Sequence, residues 1–402
     1  MERIQNQDVC ENLRRIMISK GFSIKALSEA SEINVVSLSN ILNGKTLGQT
    51  ETLVKLSNAL GINPSQLFTP APTLKSVRFR SNSIVTAREK ATKKTVICNS
   101  AKWLNDYNWL EESLKSTDYS PQKQGTYPSI LSIQRKNRSP EELARLIRSE
   151  KYWDIKNGPI LDIAGQIEKS GIKFWLCDFN SKQLFGLSIG EADGGPAIIV
   201  NNNSAITAER QIFTTAHELG HLIMHKSSYS DGGNEIEKTE LDGNEEEEAN
   251  RFAGELLLPK EAIEESLIKT KAATLTSWVL DIKSRYKVSY RTVLKRAVDL
   301  GIFSQDVYWQ FASQYKRFYN HDLKNNYEPN PNKNWVANNE LMSKTCGSEV
   351  DITGFYNVVF NSYTRKIIHK TEIADILQIN EDVATQISDW WDKKKEASSN
   401  LY

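Results

Sequence analysis

Three of the five histidines in this 402-residue chain fall within Phe213–His225, FTTAHELGHLIMH. His217 and His221 are four apart, so on an α-helix they stand one turn above the other and can offer two imidazole nitrogens to one metal ion. Glu218 stands beside them, where a carboxylate can take the proton from a water whose pKa a zinc ion lowers toward neutrality. The plainer alternative is a buried helix with satisfied histidines. It would have to explain why so histidine-poor a chain sets two of them around a glutamate at this spacing, which composition alone produces on the order of once in a few hundred chains. The string HExxH is therefore read as a zinc site. It needs a third protein ligand and leaves one position for water.

His225 lies eight residues after His217, about two turns along the same helix and too far to share the ion. In the long three-histidine zinc motif the third histidine follows a helix-breaking glycine, and no breaker intervenes here. His225 is read instead as an imidazole facing the negative end of the helix. The better source of a ligand is the next helical stretch, NEEEEANRFAGELLLP, where Ala249, Phe252, Ala253, Leu256 and Leu257 mark an inward face. Glu245 and Glu246 fall near the edges of that face, while Glu247 and Glu248 point away as a solvated acidic surface.

Positioning these groups takes a folded unit, and its start is legible. Ser139, Pro140 and Glu142 in SPEELARLIRSE form a capping box with proline at the first helical position. GPILDIAGQIEKSG reads as a helix entered at Pro159 and closed by Gly171, followed by the strand-like runs IKFWLCDF, QLFGLSI and AIIVNN. A helix, short strands and then the histidine helix make an α+β order. Upstream, residues 1–68 read as short helices, Val9–Lys20, Ile24–Ala30, Val35–Leu42 and Glu51–Leu60, separated by Gly21, Asn43-Gly44 and Gly61. TPAPT at Thr69–Thr73 marks a boundary. The basic stretch that follows, with Arg78, Arg80, Arg88, Lys90, Lys93 and Lys94, is read as solvated surface on a connector.

FTTAHELGHLIMH followed by EEEANRFAGELLLP resembles the ImmA/IrrE family of zinc metallopeptidases, as do the flanking blocks GPAIIVNNNSAITAERQIFTTAHE and SRYKVSYRTVLKRAVDLGIFS. The resemblance covers roughly Ser139 to Tyr319. It implies a zincin-like α+β peptidase core over 139–265 and a helical, helix-turn-helix-like extension over 266–320 that packs behind it. The family's second motif, E-x-x-A-N-x-F-A, falls on Glu246, Ala249, Asn250, Phe252 and Ala253. Glu246 is then the implied third zinc ligand, with Glu245 its neighbouring alternative, and Asn250 is placed to hold a ligand histidine from behind. Residues 321–402 have no assigned role.

Gly21 to Gly44, GFSIKALSEASEINVVSLSNILNG, resembles the Xre/Cro-type helix-turn-helix, whose second helix enters the major groove. Val35, Val36, Ser37, Ser39 and Asn40 would face the bases, and Lys45 with Lys25 would meet phosphates. Glu32 stands where the family usually has glycine, and the seven Lys/Arg against six Asp/Glu in residues 1–68 make a weak electrostatic footprint. A helical protein-docking module is the competing reading.

Across the whole chain 51 basic and 50 acidic residues balance, so any charged partner is met by a local patch. Four scattered cysteines fit a reducing cytoplasm, and no apolar run calls for a membrane. The expectation is a multidomain protein: residues 1–68 bind operator DNA, with a homodimer suited to a palindromic site, and a connector over 69–138 leads to the zinc endopeptidase. The implied substrate is a protein, a repressor or antitoxin-like partner. The rival reading is a non-proteolytic regulator or antitoxin whose zinc is structural or sensory.

Overall fold

The computed structural model describes residues 6–20, 22–62, 64–68, 74, 77–81, 87–117, 129–229, 243–269, 274–323, 327–329 and 354–399. The TPAPT boundary and Cys346 lie outside them. Among the described residues no helix is long and apolar enough to cross a membrane. The chain divides into two compact units, one of residues 1–74, 85–117 and 358–402, the other of residues 75–84 and 118–357.

The first unit begins with α1 (Asn6–Ser19), α2 (Ile24–Ser31), α3 (Val35–Leu42) and α4 (Thr50–Leu60). The side chains of Ser23 and Asn34 cap α2 and α3 by accepting from Ala26 N and Val36 N. Leu13, Leu27, Leu38 and Leu56 meet in a fully buried centre. Glu32, in the turn between α2 and α3, takes φ 57°, the left-handed conformation that makes glycine usual there.

Two features of this unit extend past the N-terminal helices. Helix α5 (Ala87–Lys115) packs on α1 and buries Trp103, Tyr107, Leu110 and Leu114. From the far end of the chain, α15 (Lys370–Leu377) packs on α5 and pairs with α16 (Glu381–Ser399), after α14 (Gly354–Thr364). The stretch 69–138 therefore holds a long helix with a core of its own, and part of the tail joins the same unit.

The second unit is built on a four-stranded sheet in the order β1 (Val77–Ser81), β3 (Leu184–Ile189), β4 (Ala197–Asn201), β2 (Lys173–Cys177). The β1–β3 and β3–β4 pairs are antiparallel and β2–β4 is parallel. The three runs read as strands are β2, β3 and β4, whereas β1 comes from the basic stretch read as connector. Helix α6 (Pro140–Arg148) starts with the expected capping box. Helix α7 spans Ile163–Lys169 and is capped by Asp162, which accepts from Gly165 N at 2.8 Å, so the helix does not enter at Pro159. A side-chain cap supplies the acceptor that a proline ring cannot.

Helix α8 (Ala208–Met224) lies on β3 and β4, α9 (Gly243–Leu257) packs on α8, and α6 packs on α9. Two glycines permit these approaches. A Cβ on Gly186 would stand 2.5 Å from Thr214 Cγ2, and one on Gly220 would stand 3.0 Å from the Phe252 ring. Behind them α10 (Lys260–Lys269), α11 (Leu275–Tyr286), α12 (Tyr290–Asp299) and α13 (Val307–Tyr319) continue the same apolar core through Trp278, Val293, Leu294 and Phe311.

Lys283 of α11 is fully buried between Glu209 and Glu328, the latter at 3.0 Å. Removing one partner of a buried ion cluster leaves uncompensated charge, which costs about 3–5 kcal/mol. Lys283→Met is expected to lower unfolding stability by that amount in urea titration. A change below about 1 kcal/mol would show that the cluster is not holding α11 to α8.

Candidate metal centre

Every residue of α8 from Thr214 to Met224 is buried. His217 and His221 stand one turn apart with their Nε2 atoms 3.0 Å from each other. Glu246, in the first turn of α9, reaches both, Oε2 to His217 Nε2 at 3.2 Å and Oε1 to His221 Nε2 at 2.9 Å. These three residues form a cluster of donor atoms that could hold a metal ion.

The other nitrogens of the two rings are already engaged. His217 Nδ1 lies 3.0 Å from Asn250 Oδ1, an acceptor, so Nδ1 carries the proton and Nε2 is a bare lone pair. His221 Nδ1 lies 2.8 Å from His225 Nδ1, and His225 Nε2 lies 3.0 Å from a carboxylate oxygen of Glu248. Glu248 is ion-paired with Arg135, so it accepts from His225 Nε2. In a neutral ring His225 Nδ1 must then accept from His221 Nδ1, which bares His221 Nε2 as well. Two lone pairs and a carboxylate converge with no proton among them. That arrangement is repulsive by itself and fits a divalent cation with nitrogen and oxygen ligands.

The electrostatics agree. Burial lowers His217 to about 4 and His221 to about 3, so both rings are neutral. Burial works against the charge of Glu246, yet beside His217 and His221 its carboxyl stays below its usual range. Glu218 is the opposite case. Burial, with the charge of Glu246 adding to it, pushes its carboxyl up to about 8, although the hydroxyl of Ser188, which donates to Oε2, pulls the other way. Ser188 Oγ is also 2.8 Å from the Tyr229 hydroxyl. Oε1 of Glu218 is buried with no hydrogen-bond partner among the described residues.

Three residues of this region depart from their sequence readings. Glu248 is not part of a solvated face, because Arg135 and His225 hold it. Arg78 and Arg80 are not solvated either. Strand β1 sets Arg78 opposite Ser188 and Arg80 opposite Gly186, on the face that meets α8. Arg78 pairs with Glu245, which also accepts from Ser228 at 2.9 Å, so Glu245 is turned away from the histidines. Arg80 donates to Thr214 Oγ1 at 3.0 Å and lies over the Phe213 ring. The alternation in VRFRS, charged residues two apart around Phe79, is the signal for such a strand. Ser188 and Tyr229 carry no comparable signal.

In the first unit, Val35 and Val36 on α3 are 47% and 67% exposed, and Ser37 and Lys45 are also exposed. Ser39 and Asn40 are half-buried, with Ser39 Oγ accepting from Asn43 Nδ2 at 3.2 Å.

Residues 12–72 match the family model of the Cro/C1-type helix-turn-helix DNA-binding domain, and residues 167–298 match that of the IrrE N-terminal-like domain, peptidase family M78. The chain joins a Cro/C1-type domain to an IrrE N-terminal-like domain. No curated protein and no solved structure matches it. The IrrE-like match contains His217, Glu218, His221, Glu246 and Asn250, whereas Arg78 and Arg80 lie outside it.

Metal analysis of the full chain is expected to find about one zinc per chain, lost in His217→Ala and His221→Ala. Asn250→Ala and His225→Ala should keep the ion but weaken its binding by about 10–100-fold in chelator competition. Loss of stoichiometric metal from His225→Ala would make that residue a ligand.

Proposed function

We propose that this protein is a DNA-binding regulator whose IrrE-like domain is a zinc-dependent endopeptidase, cutting a peptide bond in a protein partner of the repressor or antitoxin kind. The observation that carries the reading is Glu218. A site that only held metal for structure would have no use for a buried, unpartnered carboxylate oxygen beside the ligand cluster.

His217, His221 and Glu246 would hold the zinc, which when bound supplies a Lewis acid that acidifies water and polarises a carbonyl. Ser188 fixes the carboxyl of Glu218 through Oε2 and is itself held by Tyr229, which leaves Oε1 to work. Glu218, whose carboxylate form the charge of a bound zinc would favour, takes the proton of the attacking water at Oε1 and returns it to the leaving amine nitrogen. Asn250 orients His217, and the His225–Glu248–Arg135 chain orients His221.

On the regulatory side, Val35, Val36, Ser37, Ser39 and Asn40 would face base edges from α3, and Lys45 a phosphate. A homodimer would read two half-sites one helical turn apart. The full chain should select a palindromic duplex from a genomic library. Asn40→Ala should relax choice at one position by about 1–3 kcal/mol, and Lys45→Ala should weaken all sequences alike and reduce the salt slope by about 1. A selection that enriches no duplex would favour protein docking by these helices.

Glu218→Gln keeps the shape of the side chain and removes its base. The variant should retain zinc and fold while cleavage of the co-encoded partner falls by about 10²–10⁴-fold, read as intact partner on a blot under inducing stress. If the wild-type chain with its zinc leaves the partner as intact as the variant does, the domain is a structural or sensory zinc module.

A further inference from the structure

A cavity of about 1270 Å³ opens onto the metal centre through Glu246 and Asn250. Of the six arginines in its wall, three come from separate elements and have no ion-pair partner within it, Arg80 of β1, Arg210 in the first turn of α8 and Arg291 in the first turn of α12. The carboxylates of that wall are largely matched by other cations. Glu141 pairs with Arg251 at 2.7 Å, Glu255 with Arg145 at 3.1 Å and with Arg296, and Glu209 and Glu328 with Lys283. Among the described residues, Arg80, Arg210 and Arg291 have no carboxylate within 4.0 Å.

The three are close enough to work against one another. Burial lowers Arg80 to about 10 and Arg210 pushes it the same way against the pull of Glu218 and Glu246, Arg210 is lowered by burial and then by Arg291, and Arg291 is raised by its bond to Tyr290 with Glu328 adding to it. Two of them also stand in the first turns of helices, where the backbone N–H groups already present positive charge and a cation is unfavourable. Arg210 stacks on Phe185 with its carbon 4.2 Å from the ring centre, and Arg291 donates to the Tyr290 hydroxyl at 3.1 Å. Both guanidiniums are thus held in place facing the cavity with no carboxylate in ion-pair contact. Like charges kept together beside a reaction centre without a contacting partner favour a counter-charge supplied by what binds there.

We infer that Arg80, Arg210 and Arg291 form a subsite for acidic side chains of the polypeptide that is cut, a conclusion that rests on the endopeptidase reading for its substrate class. The helix sets the spacing. Arg210 precedes His217 by seven residues on α8, about 10 Å along the axis, and an extended peptide advances about 3.3 Å per residue. The acidic residue therefore falls about three positions from the scissile bond. Arg80, bonded to Thr214 one turn before Glu218, serves a nearer position.

The test uses the zinc-loaded, full-length Glu218→Gln chain and two fluorescein-labelled dodecapeptides of one sequence, one with glutamates at three consecutive positions and one with glutamines there. By anisotropy the glutamate peptide should bind about tenfold tighter or more, and Arg210→Gln or Arg291→Gln in that background should remove most of the difference. Equal affinities, no detectable binding of either peptide, or a preference that survives both substitutions overturns the subsite. So does a result in which the substitutions spare the peptide and instead weaken duplex DNA, which would assign the arginines to phosphate. Hydrolysis of the same peptides by the wild-type chain separates the two conclusions. A glutamate peptide that is bound tightly but never cut sinks the endopeptidase and keeps the subsite, whereas cutting without regard to charge does the reverse.

Discussion

The second unit depends on keeping a polar helix buried. From Thr214 to Met224 α8 is buried, yet it carries two imidazoles and a carboxyl group whose reactive atoms must stay unprotonated or unpaired. A buried polar group without a partner costs about 1–3 kcal/mol, so the surrounding elements are arranged as partners. Asn250 takes the far nitrogen of His217, the His225–Glu248–Arg135 chain takes that of His221, and Ser188 takes one oxygen of Glu218. Gly186 and Gly220 let the sheet and α9 come close enough to deliver those partners. What remains unsatisfied is the set of atoms that face one another across the centre.

Strand β1 performs a second service for this helix. It brings two guanidiniums to a region that already gathers Glu218, Glu245 and Glu246, and it divides them. Arg78 neutralises Glu245, which with Ser228 fixes the first turn of α9. Successive residues on a helix point about 100° apart, so holding Glu245 on Arg78 leaves Glu246 aimed at the histidines. An arginine 167 residues away in sequence thereby holds Glu245 apart from the cluster that Glu246 joins.

That distance explains what could and could not be read from the chain. The HExxH spacing, the capping box at Ser139, the runs of β2, β3 and β4 and the first four helices are marked by residue patterns a few positions long, and local periodicity exposes them. The i+4 relation of Asn250 to Glu246 puts both on one helix face, and Asn250 meets His217. A helical wheel shows which way Glu248 points but not that Arg135 and His225 wait there. The charges of VRFRS are common on connectors, and only pairing with β3 turns them inward. Proline suits a first turn, but Asp162 offers the stronger cap and α7 starts after it rather than at Pro159.

A field runs along α8 that unites the two ends of the site. The aligned peptide dipoles leave the N-terminus positive and the C-terminus negative, equivalent to about half a charge at each. His217 and His221 occupy the C-terminal half, toward the end where the dipole favours a cation. Arg210 occupies the first turn, where the same dipole disfavours its charge and favours a carboxylate. Aspartate or glutamate would have suited that position better if the turn had only to be stable. Placing a cation there strengthens attraction for an anion arriving from outside, at a cost to the empty helix that such an anion offsets. The helix would then hold metal along its C-terminal half and a substrate carboxylate at its N-terminus, with the bond to be cut beside the metal.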